Sequence, residues 1–201
     1  MPLQFTIYVG LSLLSGAVST LVAAAAWRRR FTPTGRLFCH MMAAIAVWAF
    51  ILAVESAAVE PAAKITLSKL EYIPMNAAPL FYLAFALAFA DRDGWLTPRR
   101  WRLLGVMPAL NTLMAFTNEW HRLMWPGFSP VSPATNLMVY YHGPWFWVAV
   151  ASSYSYNLVA SALLLRYVTQ RGDLARRQAA TVVAAVIVPW AASLLYALGL
   201  S

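Results

Sequence analysis

The chain has 201 residues, of which 61% are hydrophobic and 11% charged, with a mean hydropathy of +0.62. Too little polar surface is left for an ordinary water-soluble globule, so a lipid bilayer is the expected solvent and partner. The net charge of +8 would suit nucleic acid, but the positive residues flank apolar stretches, where membrane orientation and anionic headgroups account for them; no nucleic-acid partner is expected.

A hydrocarbon core about 30 Å thick takes about 20 apolar residues per helix. Six such stretches follow one another, at about 3–27, 37–58, 65–90, 101–118, 144–168 and 179–200. Twelve of the fifteen Lys and Arg residues fall into three clusters after every second stretch: Arg28, Arg29, Arg30 and Arg36; Arg92, Arg99, Arg100 and Arg102; Arg166, Arg171, Arg176 and Arg177. Short basic loops stay in the cytoplasm during insertion, which predicts an outside N-terminus. The first stretch ends in small residues at 23–26, like a cleavage region. It lacks a basic leader and is followed by arginines, so it reads as an uncleaved helix. The outer side carries Lys64, Lys69 and Arg122 against Glu55, Glu60, Glu71 and Glu119, which leaves it slightly acidic. An even number of spans returns Ser201 to the outside straight after an apolar run, and a seventh helix is expected to follow. The expected fold is all-α, a polytopic membrane helix bundle with six predicted spans of seven, as one domain over 1–201. Its expected location is the bacterial inner membrane.

The second and third spans carry the two carboxylates that need a reason. Glu55 falls near the outer end of one and Glu71 about two turns inside the other; a buried carboxylate is costly unless protonated, paired or wetted. Glu71 can serve structurally, bonded to Lys69, a tyrosine or backbone freed by Pro74. It can also line an outward-facing polar pocket with Glu55, capped by His121 or His142. Deeper in, Asn76, Asn111, Tyr154, Tyr156 and Asn157 fall near the bilayer middle. Helix-joining hydrogen bonds are the default there and a ligand floor the minority reading. Pro74, Pro79, Pro108 and Pro189 interrupt backbone bonding within spans.

The outer connection at 119–143 is aromatic and turn-rich, with Trp120, Trp125, Phe128, Tyr140, Tyr141, Pro126, Pro130 and Pro133. It suits an interfacial aromatic belt or a lid, with 136–141 able to form a short strand over the bundle mouth. The candidate ligand-binding set is therefore Glu55, Glu71 and the adjacent Tyr72, with Trp120, His121, Tyr141, His142 and Trp145 above them. Cys39 is the single cysteine and reads as a small core residue. No His-x-x-x-His or similar spacing occurs, so no metal and no cofactor is expected.

One ordered set of residues resembles a known family. It runs through Glu71-Tyr72-Ile73, Pro79 and Tyr82, then Pro108, Thr117-Asn118, His121, Leu123 and Trp125. It continues with His142-Gly143-Pro144-Trp145-Phe146-Trp147, Tyr154-Ser155-Tyr156, Pro189-Trp190 and Leu194-Leu195-Tyr196-Ala197-Leu198-Gly199. Together these resemble the N-terminal seven-transmembrane region of bacterial sensor histidine kinases, also found ahead of diguanylate cyclases. The resemblance implies an input module in which a small-molecule or lipid-soluble cue biases the bundle. A cytoplasmic kinase or cyclase domain receives that bias, and a homodimer forms through this output domain. Catalysis is not expected of these 201 residues. A transporter using Glu71, Asn76 and Pro74 is the alternative, disfavoured because the two halves show no matching interrupted segments. An intramembrane hydrolase lacks a Gly-x-Ser-x-Gly elbow.

Overall fold

A computed structural model describes residues 2–90 and 92–169. Among these residues the elements are all helical: α1 (Ile7–Trp27), α2 (Pro33–Ala57), α3 (Pro61–Phe89), α4 (Pro98–Phe116), the single turn α5 (Asn118–His121) and α6 (Pro144–Thr169), with a 3-10 turn at Asp93–Trp95. These match five of the six predicted spans to within a few residues, and the sixth, 179–200, lies outside the described residues. α1, α2, α3 and α6 are long and apolar enough to cross a membrane. α4 has the length, at about 28 Å for 19 residues, but Arg99, Arg100 and Arg102 sit in its first turns and make that end strongly polar.

Two helices start by the same local device. At α2 and α4 a threonine with extended backbone precedes a proline: Thr32 Oγ1 accepts from Gly35 N at 3.1 Å, and Thr97 Oγ1 from Arg100 N at 3.4 Å. Each hydroxyl satisfies a donor that the first turn leaves over, and proline fills a place where no N–H is needed. Arginines crowd these starts, and Arg30 and Arg100 lie over Trp27 and Trp95 at 4.9 and 4.7 Å. Cation and ring thus share the membrane surface.

Short connections make consecutive helices antiparallel neighbours. α1 packs on α2, α2 on α3, and α3 on α4 and α6, so α3 is the centre of the bundle. This explains its burial: Tyr82, Leu83, Ala84, Phe85, Ala86, Leu87 and Ala88 are all buried, on every side of the helix. Leu37 and Met41 of α2 and Ala160 and Leu164 of α6 complete that core. α1 lies at the edge and turns Leu11, Leu14, Val18 and Leu21 outward, a surface suited to acyl chains. Its contact with α2 needs Gly16, where a Cβ would come within 2.8 Å of the Phe50 ring. Cys39 is buried in the same seam, 3.4 Å from the Ala23 carbonyl.

The basic turns 28–32 and 92–97 lie at one end of the bundle, while the other end gathers the N-terminal segment, the α2–α3 turn and the 122–143 loop. By the charge rule this second end is the outer one. Here the final carbonyls of α2 and that of the capping Ala58 each find a donor. Glu55 O takes Lys64 Nζ at 2.9 Å, Ser56 O and Ala58 O take Asn136 Nδ2 at 2.8 and 3.0 Å, and Ala57 O takes Gln4 N at 2.8 Å. Carbonyls that a helix end leaves over are thus satisfied by remote segments. The stretch expected as a strand makes one antiparallel bridge, Phe128 with Tyr140. Pro130 and Pro133 cannot donate to a ladder, and Asn136 turns the chain with a φ of 55°.

Candidate functional site

The outer ends of α2 and α3 place their ionisable side chains in one buried cluster. Glu55 lies on the last turn of α2, and α3 begins only after the short 58–60 turn, so Lys64 reaches back across it. Both are buried, Lys64 completely, and their charged atoms are 3.9 Å apart. Ser68 is one turn further along α3. Its hydroxyl donates to Tyr140 Oη at 2.6 Å, and Tyr140 Oη donates to Glu55 Oε1 at 3.0 Å. One loop residue is therefore bonded to both helices. Burial pushes the Tyr140 hydroxyl well above the ordinary phenol range, and the neighbouring Glu55 carboxylate pushes it the same way. Tyr140 is thus a neutral donor.

Glu71 lies beside this cluster. Trp48 Nε1 of α2 donates to its Oε2 at 3.2 Å, while Oε1 is buried without a hydrogen-bond partner. Tyr72, the next residue, packs its ring edge-to-face on Trp125 at 5.4 Å, and Trp125 in turn meets Tyr140 at 5.4 Å. Phe128 meets both Tyr140 and Trp125 and completes a triangle of rings. The loop thus covers the outer end with a packed aromatic layer.

A second, uncharged network continues inward. Trp145 Nε1, at the start of α6, donates to Asn111 Oδ1 at 3.3 Å; Asn111 Nδ2 donates to Asn76 Oδ1 at 3.3 Å and Ser152 Oγ at 2.9 Å. Asn76 Nδ2 donates to Tyr72 O at 2.7 Å. Buried carboxamides satisfied in this way fix how α3, α4 and α6 meet. Near them an open groove of about 610 Å³ runs between α3 and α4, with Asn76 and Thr112 among otherwise apolar lining residues.

The other candidates lie elsewhere. Trp120 is 86% exposed and Tyr141 53% exposed, both outside the buried cluster. His121 closes its own turn, with Nδ1 accepting from Leu123 N at 2.9 Å and Nε2 3.2 Å from Thr117 Oγ1. His142 stacks on Phe146 with ring centres 3.8 Å apart, and burial lowers its pKa. Tyr156 donates to Leu104 O at 2.7 Å, whereas Tyr154 and Asn157 are half-buried on α6. Among the described residues no group of three His, Cys, Asp or Glu side chains is placed to hold a metal.

Sequence reasoning did not single out Trp48, Lys64, Ser68, Asn118 or Asn136 as site residues. Asn118 is the main anchor of the loop: its Oδ1 accepts from Met124 N and Trp125 N, both at 3.0 Å, and its Nδ2 donates to Trp125 O at 2.9 Å. The returning chain passes so close that a Cβ on Gly143 would lie 2.2 Å from Leu123 O. The Thr117-Asn118 and His142-Gly143-Pro144-Trp145 pieces thus have a shared physical purpose, to seat the loop.

No curated protein and no solved structure matches the chain. A family model described as the N-terminal 7TM region of histidine kinase matches residues 11–201. That match covers the central α3, the network of Asn76 and Asn111, the seated loop and nearly all the rest of this multi-pass membrane chain, which therefore belongs to that family, the membrane sensor input region of histidine kinases.

Proposed function

We propose that residues 1–201 form a single input domain in the bacterial inner membrane, detecting an extracytoplasmic or membrane-borne cue for a cytoplasmic histidine kinase or diguanylate cyclase domain. The observation that carries this reading is the position of Tyr140, an outer-loop residue bonded at once to Glu55 of α2 and Ser68 of α3. A cue that alters this contact acts directly on the helix around which α2, α4 and α6 pack. It changes output only as far as it binds two bundle arrangements with different affinity. Glu55, Glu71 and Tyr72 are the proposed inner contacts of the cue, and Trp145 links the loop to the Asn111 network. The groove between α3 and α4 offers a lipid-soluble cue a route from the bilayer. These residues relay and do not catalyse; a homodimer forms through the output domain.

The test uses the full-length receptor in membranes, measuring autophosphorylation or cyclase activity with and without extracellular extract. Replacing the 122–143 loop, or Tyr140→Phe together with Glu71→Gln, should remove the cue-dependent change. A response that persists through both replacements rejects the sensing mechanism.

A further inference from the structure

We propose that the cluster at the outer ends of α2 and α3 is a proton-binding site, with Glu71 carrying the exchangeable proton and extracytoplasmic pH acting as a cue. This rests on the sensor reading above and names a ligand for the same site.

The geometry leaves one carboxylate incompletely served. Glu71 Oε2 has the Trp48 indole, but Oε1 is buried with no donor. Glu55 of α2 acts on Glu71 electrostatically, Glu71 acts in turn on Tyr140 of the loop, and Lys64 of α3 is paired with Glu55. Lys69, the other α3 ammonium in this half, is bonded to Glu119. α4 and α6 bring Asn111, Ser152 and Trp145 towards α3 further in, and these are uncharged. The cluster therefore holds two carboxylates and one ammonium, which is paired with Glu55, and fully ionised it carries a net negative charge in a medium that solvates it poorly. One proton on Glu71 makes the cluster neutral.

The proton is taken from outer water and returned to it, and no other covalent bond changes. Its loss as pH rises creates a second negative charge beside Glu55, the acceptor through which Tyr140 holds the loop to α2. Titration of Glu71 is thereby linked to the seating of the loop.

Infrared difference spectroscopy on the full-length receptor in nanodiscs, titrated between about pH 5 and about pH 9, tests this directly. The expected result is a protonated-carboxyl band that disappears reversibly as pH rises and is absent in Glu71→Gln. Trp48→Phe removes a donor to the charged form, so the midpoint should move upward by about 1 pH unit. A spectrum with no titrating carboxyl band, or a band retained in Glu71→Gln, overturns the proposal. Should Glu71→Gln fail to fold, an unmoved midpoint in Trp48→Phe overturns it instead. Cue-dependent output that is lost on loop replacement while no carboxyl band titrates sinks the proton site and leaves the sensor reading standing.

Discussion

Towards the basic end α2, α3, α4 and α6 meet mainly through carbon: Leu37, Met41, Leu83, Phe85, Leu87 and Leu164 pack with alanines at 84, 86, 88 and 160 and with Trp101 and Leu104 of α4, and two tyrosine hydroxyls, Tyr156 to Leu104 O and Tyr82 with Ser161 Oγ, add bonds between helices. At the outer end the same helices meet through directional bonds: Glu55 with Tyr140, Glu71 with Trp48, Asn111 with Asn76 and Trp145. Packing of the first kind is close and insensitive to solutes. Bonds of the second kind each depend on one partner atom, and a proton or a ligand can replace that partner. Both ends hold the helices together, but only at the outer end can a solute take the place of a bonding partner.

The most severe way to break this contrast is to remove Lys64. Lys64→Met leaves Glu55 buried without its cation and should cost about 3–5 kcal/mol, read as a lowered unfolding temperature in detergent. The double variant with Glu55→Gln should recover most of that loss. An unchanged unfolding temperature in Lys64→Met would show that the outer bonds carry no stability.

Next in size is Asn118→Ala. It strands Met124 N, Trp125 N and Trp125 O, and the expected cost is about 3 kcal/mol. Hydrogen exchange should rise throughout the 122–128 segment, and protection that stays native there would deny Asn118 its anchoring role.

Overpacking the other end sharpens the comparison. Ala84 is completely buried, so Ala84→Leu should destabilise by about 1–3 kcal/mol. It should leave the cue dependence of the full-length receptor unaltered. A shifted cue response would show that the carbon-packed end also takes part in sensing.

The smallest effect belongs to the partly exposed pair of Lys69 and Glu119. The Lys69 hydrogen bond holds the Glu119 carboxyl below the usual carboxylate range. Its stabilisation is therefore present above the ordinary carboxylate pKa and is lost as pH falls through the depressed value. Glu119→Gln should cost less than about 1 kcal/mol near neutral pH, less again in high salt. A pH-stability comparison of the two proteins should show their curves converging in acid.

The apolar stretches behind five helices, the clustering of arginines and the need for an explanation at Glu55 and Glu71 were legible along the chain. Each depends on a property that accumulates locally, apolar length against bilayer thickness or charge against insertion. Partnership was not legible. The expected caps over the carboxylates were His121 and His142, whereas Tyr140 bonds Glu55 across 85 positions. Lys64 had the look of an outer-surface cation, and its complete burial follows from the short turn that brings α3 back beside α2. The aromatic loop divides by packing: Trp125 and Tyr140 pack inward, and Trp120 and Tyr141 face outward. That division is set by the left-handed turn at Asn136, the Asn118 anchor and the close passage at Gly143. Sequence by itself determined which segments are long and apolar enough to cross a membrane, because solvation is a sum over neighbouring residues. Only the tertiary structure decided which polar groups meet, because a hydrogen bond needs two atoms about 3 Å apart and helix packing and loop register alone bring them there.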